Sequence, residues 1–137
     1  MTLAVGLACS NFARSLRFYT DVLGFTTMRF MPEQKRAGLE RDGVSIDIVE
    51  TAEGALAPLE YPFGRGVTLT VWSNDVEAVY AGVQAYGARL HQPLHEVWHT
   101  EDGVRTGHAA FEVIDPDGYR LKFCQAFPPA PFSRDGR

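Results

Sequence analysis

Along residues 2–9, apolar Val5, Leu7 and Cys9 alternate with small Ala4, Gly6 and Ala8, and this period of two predicts a strand. Asn11 then stands where a helix cap belongs. Phe12, Leu16, Tyr19 and Leu23 follow at helical spacing, with Phe18 beside them, up to a glycine stop at Gly24. Residues 25–30 read as a second strand and 38–41 as a third, leading into the turn Asp42-Gly43. Residues 44–50 alternate again, with Ile46 and Ile48 on one side and Ser45, Asp47 and Val49 on the other.

The same order returns after residue 65. Val67, Leu69 and Val71 alternate with Thr68, Thr70 and Trp72. Asn74 or Asp75 can cap a helix whose inner face carries Val76, Val79, Tyr80 and Val83, stopped near Gly87. Residues 89–98 predict a strand interrupted at Pro93, and residues 99–106 a polar hairpin tip. Ala110 to Ile114 then runs into Asp115-Pro116-Asp117-Gly118. Pro116 presets a turn there, and Asp117 and Gly118 tolerate left-handed backbone. In the last strand, 119–125, Leu121 and Phe123 share one face while Arg120, Lys122 and Cys124 share the other. The first of these faces suits a core; the second suits solvent, a ligand or a cavity.

The halves echo each other at Asn11 and Asn74, Gly24 and Gly87, and Asp42-Gly43 and Asp117-Gly118. The simplest account is a βαβββ repeat. It divides the chain into a first module, 1–50, a linker, 51–65, a second module, 66–125, and a frayed tail, 126–137, all within one compact domain.

Composition narrows the function classes. With 137 residues and 45% apolar content, the chain can bury a core without staples. Net charge −4 argues against an electrostatic grip on nucleic acid. No apolar run reaches membrane-spanning length and no leader is apparent. Cys9 and Cys124 stand far apart, which fits a reducing compartment better than a disulfide framework. The expected setting is cytoplasmic.

Residues 11–25, Asn11-Phe12-Ala13-Arg14-Ser15-Leu16-Arg17-Phe18-Tyr19-Thr20-Asp21-Val22-Leu23-Gly24-Phe25, resemble the first-helix signature of the vicinal oxygen chelate superfamily. Asp115-Pro116-Asp117-Gly118-Tyr119 resembles its turn before the last strand. Glyoxalases, extradiol dioxygenases and bleomycin-resistance proteins share that plan. The resemblance implies an α+β fold of two tandem βαβββ modules forming incomplete barrels, completed in a homodimer whose second copy covers sheet edges. It also implies a divalent metal held by four strands through His, Glu or Gln. Carried over by the turn motifs, those positions fall at Ala4, Asp47, Gly66 and Lys122. Alanine and glycine carry no donor, and an ammonium repels a cation. No metal and no other cofactor is therefore expected. Instead, Asp47 and Lys122 are expected to face each other as an ion pair.

His91, His95, His99 and His108 form no ligand pattern such as His-x-Glu-x-His, so they read as exposed or cleft-edge side chains. A relocated metal site among them stays open. Trp72, Trp98 and Phe111 read either as rings bordering a ligand cup or as core and interface packing. The expected ligand-binding set is Asp47, Trp72, Trp98, Phe111, Arg120 and Lys122, with no catalytic residue. It points to non-catalytic sequestration of a small planar or aromatic molecule, such as an antibiotic, in the manner of bleomycin-resistance proteins. The alternative is a metal-dependent lyase, isomerase or dioxygenase of the same superfamily, or metal-free acid–base catalysis. A third is a structural or immunity partner for a biosynthetic enzyme.

Overall fold

The structure is a computed structural model that describes residues 3–51, 59–128 and, as backbone, 130–131. Strand β1 (Ala4–Cys9) leads to helix α1 (Phe12–Arg17) and three strands, β2 (Thr26–Met31), β3 (Arg36–Arg41) and β4 (Val44–Glu50). The pattern then repeats as β5 (Thr68–Trp72), α2 (Val76–Tyr86), β6 (Arg89–Glu101), β7 (Val104–Ile114) and β8 (Arg120–Ala126), followed by the short β9 (Ala130–Pro131). The first sheet has order β1-β4-β3-β2 and the second β5-β8-β7-β6, with β9 added to β7. Each module's first strand lies parallel to its last, and the remaining pairs are antiparallel. The two sheets are therefore copies of one topology, left open and not closed into barrels. This is the tandem α+β architecture that the repeat predicts.

Local chemistry explains the element ends. The Asn11 side chain accepts the Arg14 N–H at 3.0 Å, and the helix it starts continues through a wider π turn, Phe18–Val22. That turn brings Phe18, Tyr19 and Leu23 into the core together. The turns β3–β4 and β6–β7 are both Asp-Gly pairs with positive φ at both residues, Asp42-Gly43 and Asp102-Gly103, the geometry a two-residue hairpin favours. Asp75 precedes α2 without capping it, because its carboxylate is taken by Arg41.

Alternation sets the core. Leu7, Cys9, Ala37, Leu39, Ile46 and Ile48 of the first sheet face the helices, as do Val71, Phe111, Val113, Leu121 and Phe123 of the second. The opposite faces are concave and carry the polar residues. The modules meet through the β7–β8 turn. Asp115 accepts the Tyr19 hydroxyl at 2.8 Å, Asp117 takes the Ser10 N–H and hydroxyl and the Arg14 guanidinium, and the Tyr119 hydroxyl donates to the Ala8 carbonyl at 2.8 Å. Arg41 adds a second tie, its guanidinium over the Phe123 ring and paired with Asp75.

Three boundaries differ from expectation. Pro93 does not interrupt β6: two register shifts, between Leu90 and Gln92 and between Gln92 and His95, absorb it, as bulges do. The polar tip at 99–106 shrinks to Asp102-Gly103, because the strands on either side pair up to Glu101 and Val104. Residue 126, assigned to a frayed tail, closes β8, and the Phe127 N–H binds the Gly107 carbonyl at 2.9 Å. Residues 52–58 of the expected linker, and 129 and 132–137 of the expected tail, lie outside the described residues. Among the described residues, no helix is long and apolar enough to cross a membrane.

Candidate functional site

The concave face of the second sheet gathers most of the chemistry-bearing side chains. Register sets them in rows. Trp72, Cys124, Ala110 and His95 are cross-strand neighbours in one row. Thr70, Lys122, Glu112 and Gln92 form the next, and Thr68, Arg120 and Ile114 the one after. His108 lies two residues before Ala110 on the same strand, and so on the same face.

Trp72 is 54% exposed, and its ring meets the His108 ring edge-on at 5.7 Å. They stand on β5 and β7, on either side of β8, so they touch by bridging over it. Cys124 lies beneath and is only 1% exposed although it belongs to the concave face. Burial pushes its thiol up, and the Glu112 charge adds to this against the pull of Lys122. Burial lowers the His108 imidazole, and Lys122, His99 and His95 lower it further. The imidazole is therefore held neutral beside a lysine ammonium that has no carboxylate within 4.0 Å among the described residues. Glu112 is directed instead to Arg120, at 3.4 Å, and to His91, at 3.8 Å.

The six expected ligand-binding residues do not converge. Trp72, Arg120 and Lys122 share the concave face of the second sheet. Asp47 occupies the concave face of the first, opposite Gly6 and Gly38. Phe111 must be corrected. It is fully buried and stacks on Phe123 at 5.4 Å, because its parity matches Val113 and sends it under α2. Trp98 must be corrected too. It pairs with Gly107, which shares the parity of Phe111, so the ring lies on the other side of the sheet from Trp72. There it stacks on Phe127 at 5.1 Å beneath Arg105. The two one-residue shifts in β6 cancel, so Trp98 keeps the side of Leu90, which faces Val113.

The expected Asp47–Lys122 ion pair is not made within this chain. Asp47 engages Arg29 at 3.5 Å, across β3 on its own sheet. The four positions where the superfamily holds a metal fit a divalent cation no better. Ala4 offers no donor and Lys122 carries an ammonium. Gly66 precedes β5 in a left-handed turn, φ +83°, and is not in the strand; the β5 residue facing Lys122 is Thr70. Among the described residues, no group of three or more His, Cys, Asp or Glu stands together as a metal centre, the four histidines included. His108 is the functional neighbour that sequence reasoning underrated. Counting back by twos from Glu112 places it on the concave face.

A family model described as the glyoxalase/bleomycin resistance protein/dioxygenase superfamily matches residues 3–123. Among solved structures, a protein of that description from Alicyclobacillus acidocaldarius is 18% identical, with TM-score 0.65, covering 93% of this chain and 92% of its own. TioX from Micromonospora sp. ML1 is 23% identical, with TM-score 0.64, covering 91% and 98%. A lactoylglutathione lyase from Agrobacterium tumefaciens is 16% identical, with TM-score 0.59, covering 91% and 92%. At these identities the likeness is one of fold. None of the curated proteins matches the chain in sequence.

Proposed function

We propose that this chain, which belongs to the glyoxalase/bleomycin resistance protein/dioxygenase superfamily, binds a small planar or aromatic molecule on the concave face of its second sheet without transforming it. One observation carries the reading. Trp72 is a large ring more than half exposed, propped edge-on by His108 and standing over a buried floor, beside an ammonium with no carboxylate partner among the described residues. An exposed indole on a concave, partly apolar face is what a flat ligand stacks on. Lys122 supplies charge for an acidic or carbonyl substituent. The non-catalytic part of the reading is supported by the donor-poor residues at Ala4, Gly66 and Lys122. In this reading the ligand is sequestered, as a planar antibiotic would be, and a homodimer supplies the opposite wall of the cup.

Tryptophan fluorescence tests it in a Trp98→Phe background, where Trp72 is the remaining indole. Titration with planar aromatic compounds, antibiotics included, is expected to quench Trp72 saturably, with recovery of the unchanged compound afterwards. No quenching across such a set, or stoichiometric turnover of a quenching compound, rejects the reading.

A specific observation favours one rival. A neutral His108 imidazole near the Lys122 ammonium is a base beside an acid, which suits metal-free proton transfer. Turnover abolished in His108→Gln but retained in Trp72→Phe would favour that rival.

A further inference from the structure

The linker and the starts of β6 and β8 enclose a cavity of about 320 Å³ at one end of the second sheet, lined by Tyr61, Phe63, Arg65, Arg89, His91 and Arg120 among others. Among the described residues its lining holds three guanidinium groups and no carboxylate. Glu112, outside the lining, meets Arg120 through long contacts of 3.4 and 3.5 Å. This is a strongly basic enclosure in a chain of net charge −4.

Arg65 and Arg89 are held in place without being neutralised. Arg65 donates to the Tyr61 carbonyl at 3.0 Å and Arg89 to the Tyr61 hydroxyl at 2.8 Å. Both acceptors are uncharged, and a guanidinium carries five N–H donors. The Nε of Arg120 is buried without a hydrogen-bond partner among the described residues. A buried donor left unmade is costly and calls for an acceptor. Planar forks such as these match the two oxygens of a carboxylate or phosphate.

We infer that this cavity is an oxyanion site and that it takes the carboxylate or phosphate end of the ligand whose ring rests on Trp72. The inference rests on the reading proposed above and adds the ligand's second half. Arg120 and Cys124 are four residues apart on one strand, and Trp72 is the cross-strand neighbour of Cys124. The row of Trp72 therefore lies about 13 Å from the row of Arg120 at ~3.3 Å per residue. Lys122 stands midway. The ligand class is an amphiphilic acid, with a flat apolar head and an anionic tail roughly that far away.

The full chain is titrated with inorganic phosphate, with 6-(2-naphthyl)hexanoate and with its primary amide. Arginine Nε–Hε resonances and Trp72 fluorescence are followed in the Trp98→Phe background. Phosphate and the acid are expected to shift the resonances of Arg65, Arg89 and Arg120, and the amide to leave them in place. The acid is expected to bind at least tenfold tighter than the amide. Arg65→Gln with Arg89→Gln is expected to remove that preference and leave the amide's affinity unchanged. Equal affinity of acid and amide, or arginine resonances unmoved by both anions, overturns the site. Arginine shifts with phosphate but no Trp72 quenching by either naphthyl compound would sink the ring-binding reading and leave the anion site standing. Stronger shifts with phosphate than with the acid would assign the tail as phosphate.

Discussion

The Tyr19 hydroxyl, on the helical segment of the first module, donates a 2.8 Å hydrogen bond to Asp115 in the last turn of the second, and both residues are buried. Asp115 also accepts the N–H groups of Asp117 and Tyr119, at 2.8 and 2.9 Å. One carboxylate thus shapes the turn and ties the modules together. Tyr19→Phe removes a donor and leaves the acceptor buried, so a loss of about 1–3 kcal/mol is expected. Urea unfolding measures it, and an unchanged midpoint would show that the tie is not used.

Burial pushes the Asp115 carboxyl up to about 6, against three hydrogen bonds that favour its charged form. Its ordinary value of 3.8 applies in the unfolded chain. Between those values the folded state holds more protons, so this group's contribution is complete below about 3.8 and lost as pH rises through about 6. The contribution is roughly 3 kcal/mol at most. Stability of the wild type relative to Asp115→Asn is expected to fall between pH 4 and 7, and a flat difference would contradict this. His108 has the opposite sign. Its folded value lies below 6.5, so stability falls as pH drops below that point.

Lys122→Met takes a positive charge from beside His108 and Cys124. The imidazole is expected to titrate at higher pH than in the wild type, because a like charge that lowered it is gone. Histidine resonances followed against pH read this directly. An unmoved or lowered titration would place the ammonium away from the ring.

Phe111 and Trp72 are expected to behave in opposite ways. Phe111→Ala empties a fully buried site between Phe123 and Tyr80, at a cost of about 3–5 kcal/mol. Trp72→Ala removes an exposed ring. It is expected to leave the unfolding midpoint within about 0.5 kcal/mol, as surface substitutions do, while abolishing the binding of planar compounds. Paired thermal melts and binding titrations separate the two.

The order of elements was legible in the residues because it depends on neighbours close in the chain. Alternation in 4–9, 44–50 and 68–72 marked strands, and Asn11, Gly24 and Gly87 marked the limits of helices. The two halves echoed each other because each builds the same sheet. Parity also placed Trp72 and Lys122 on one face. It holds for Trp98 as well, because the two one-residue shifts in β6 cancel and leave the ring on the side of Leu90; the error was to read a ring near the hairpin as a cup wall. It failed for Phe111 because an aromatic ring suits a core and a cup equally well, and only the seat of α2 decides.

The sequence by itself determined the repeat, the turns, the family and the want of metal donors at Ala4 and Lys122, since each depends on residue type and short spacing. Tertiary structure alone decided who meets whom. Asp47 found Arg29 on its own sheet and not Lys122 on the other. Asp117 was spent on Ser10 and Arg14, about a hundred residues away. Arg65, Arg89 and Arg120, scattered through an acidic chain with no basic run, were drawn around one cavity. Charges act through space, and the distance between two of them is set by the packing of the sheets and not by their separation along the chain.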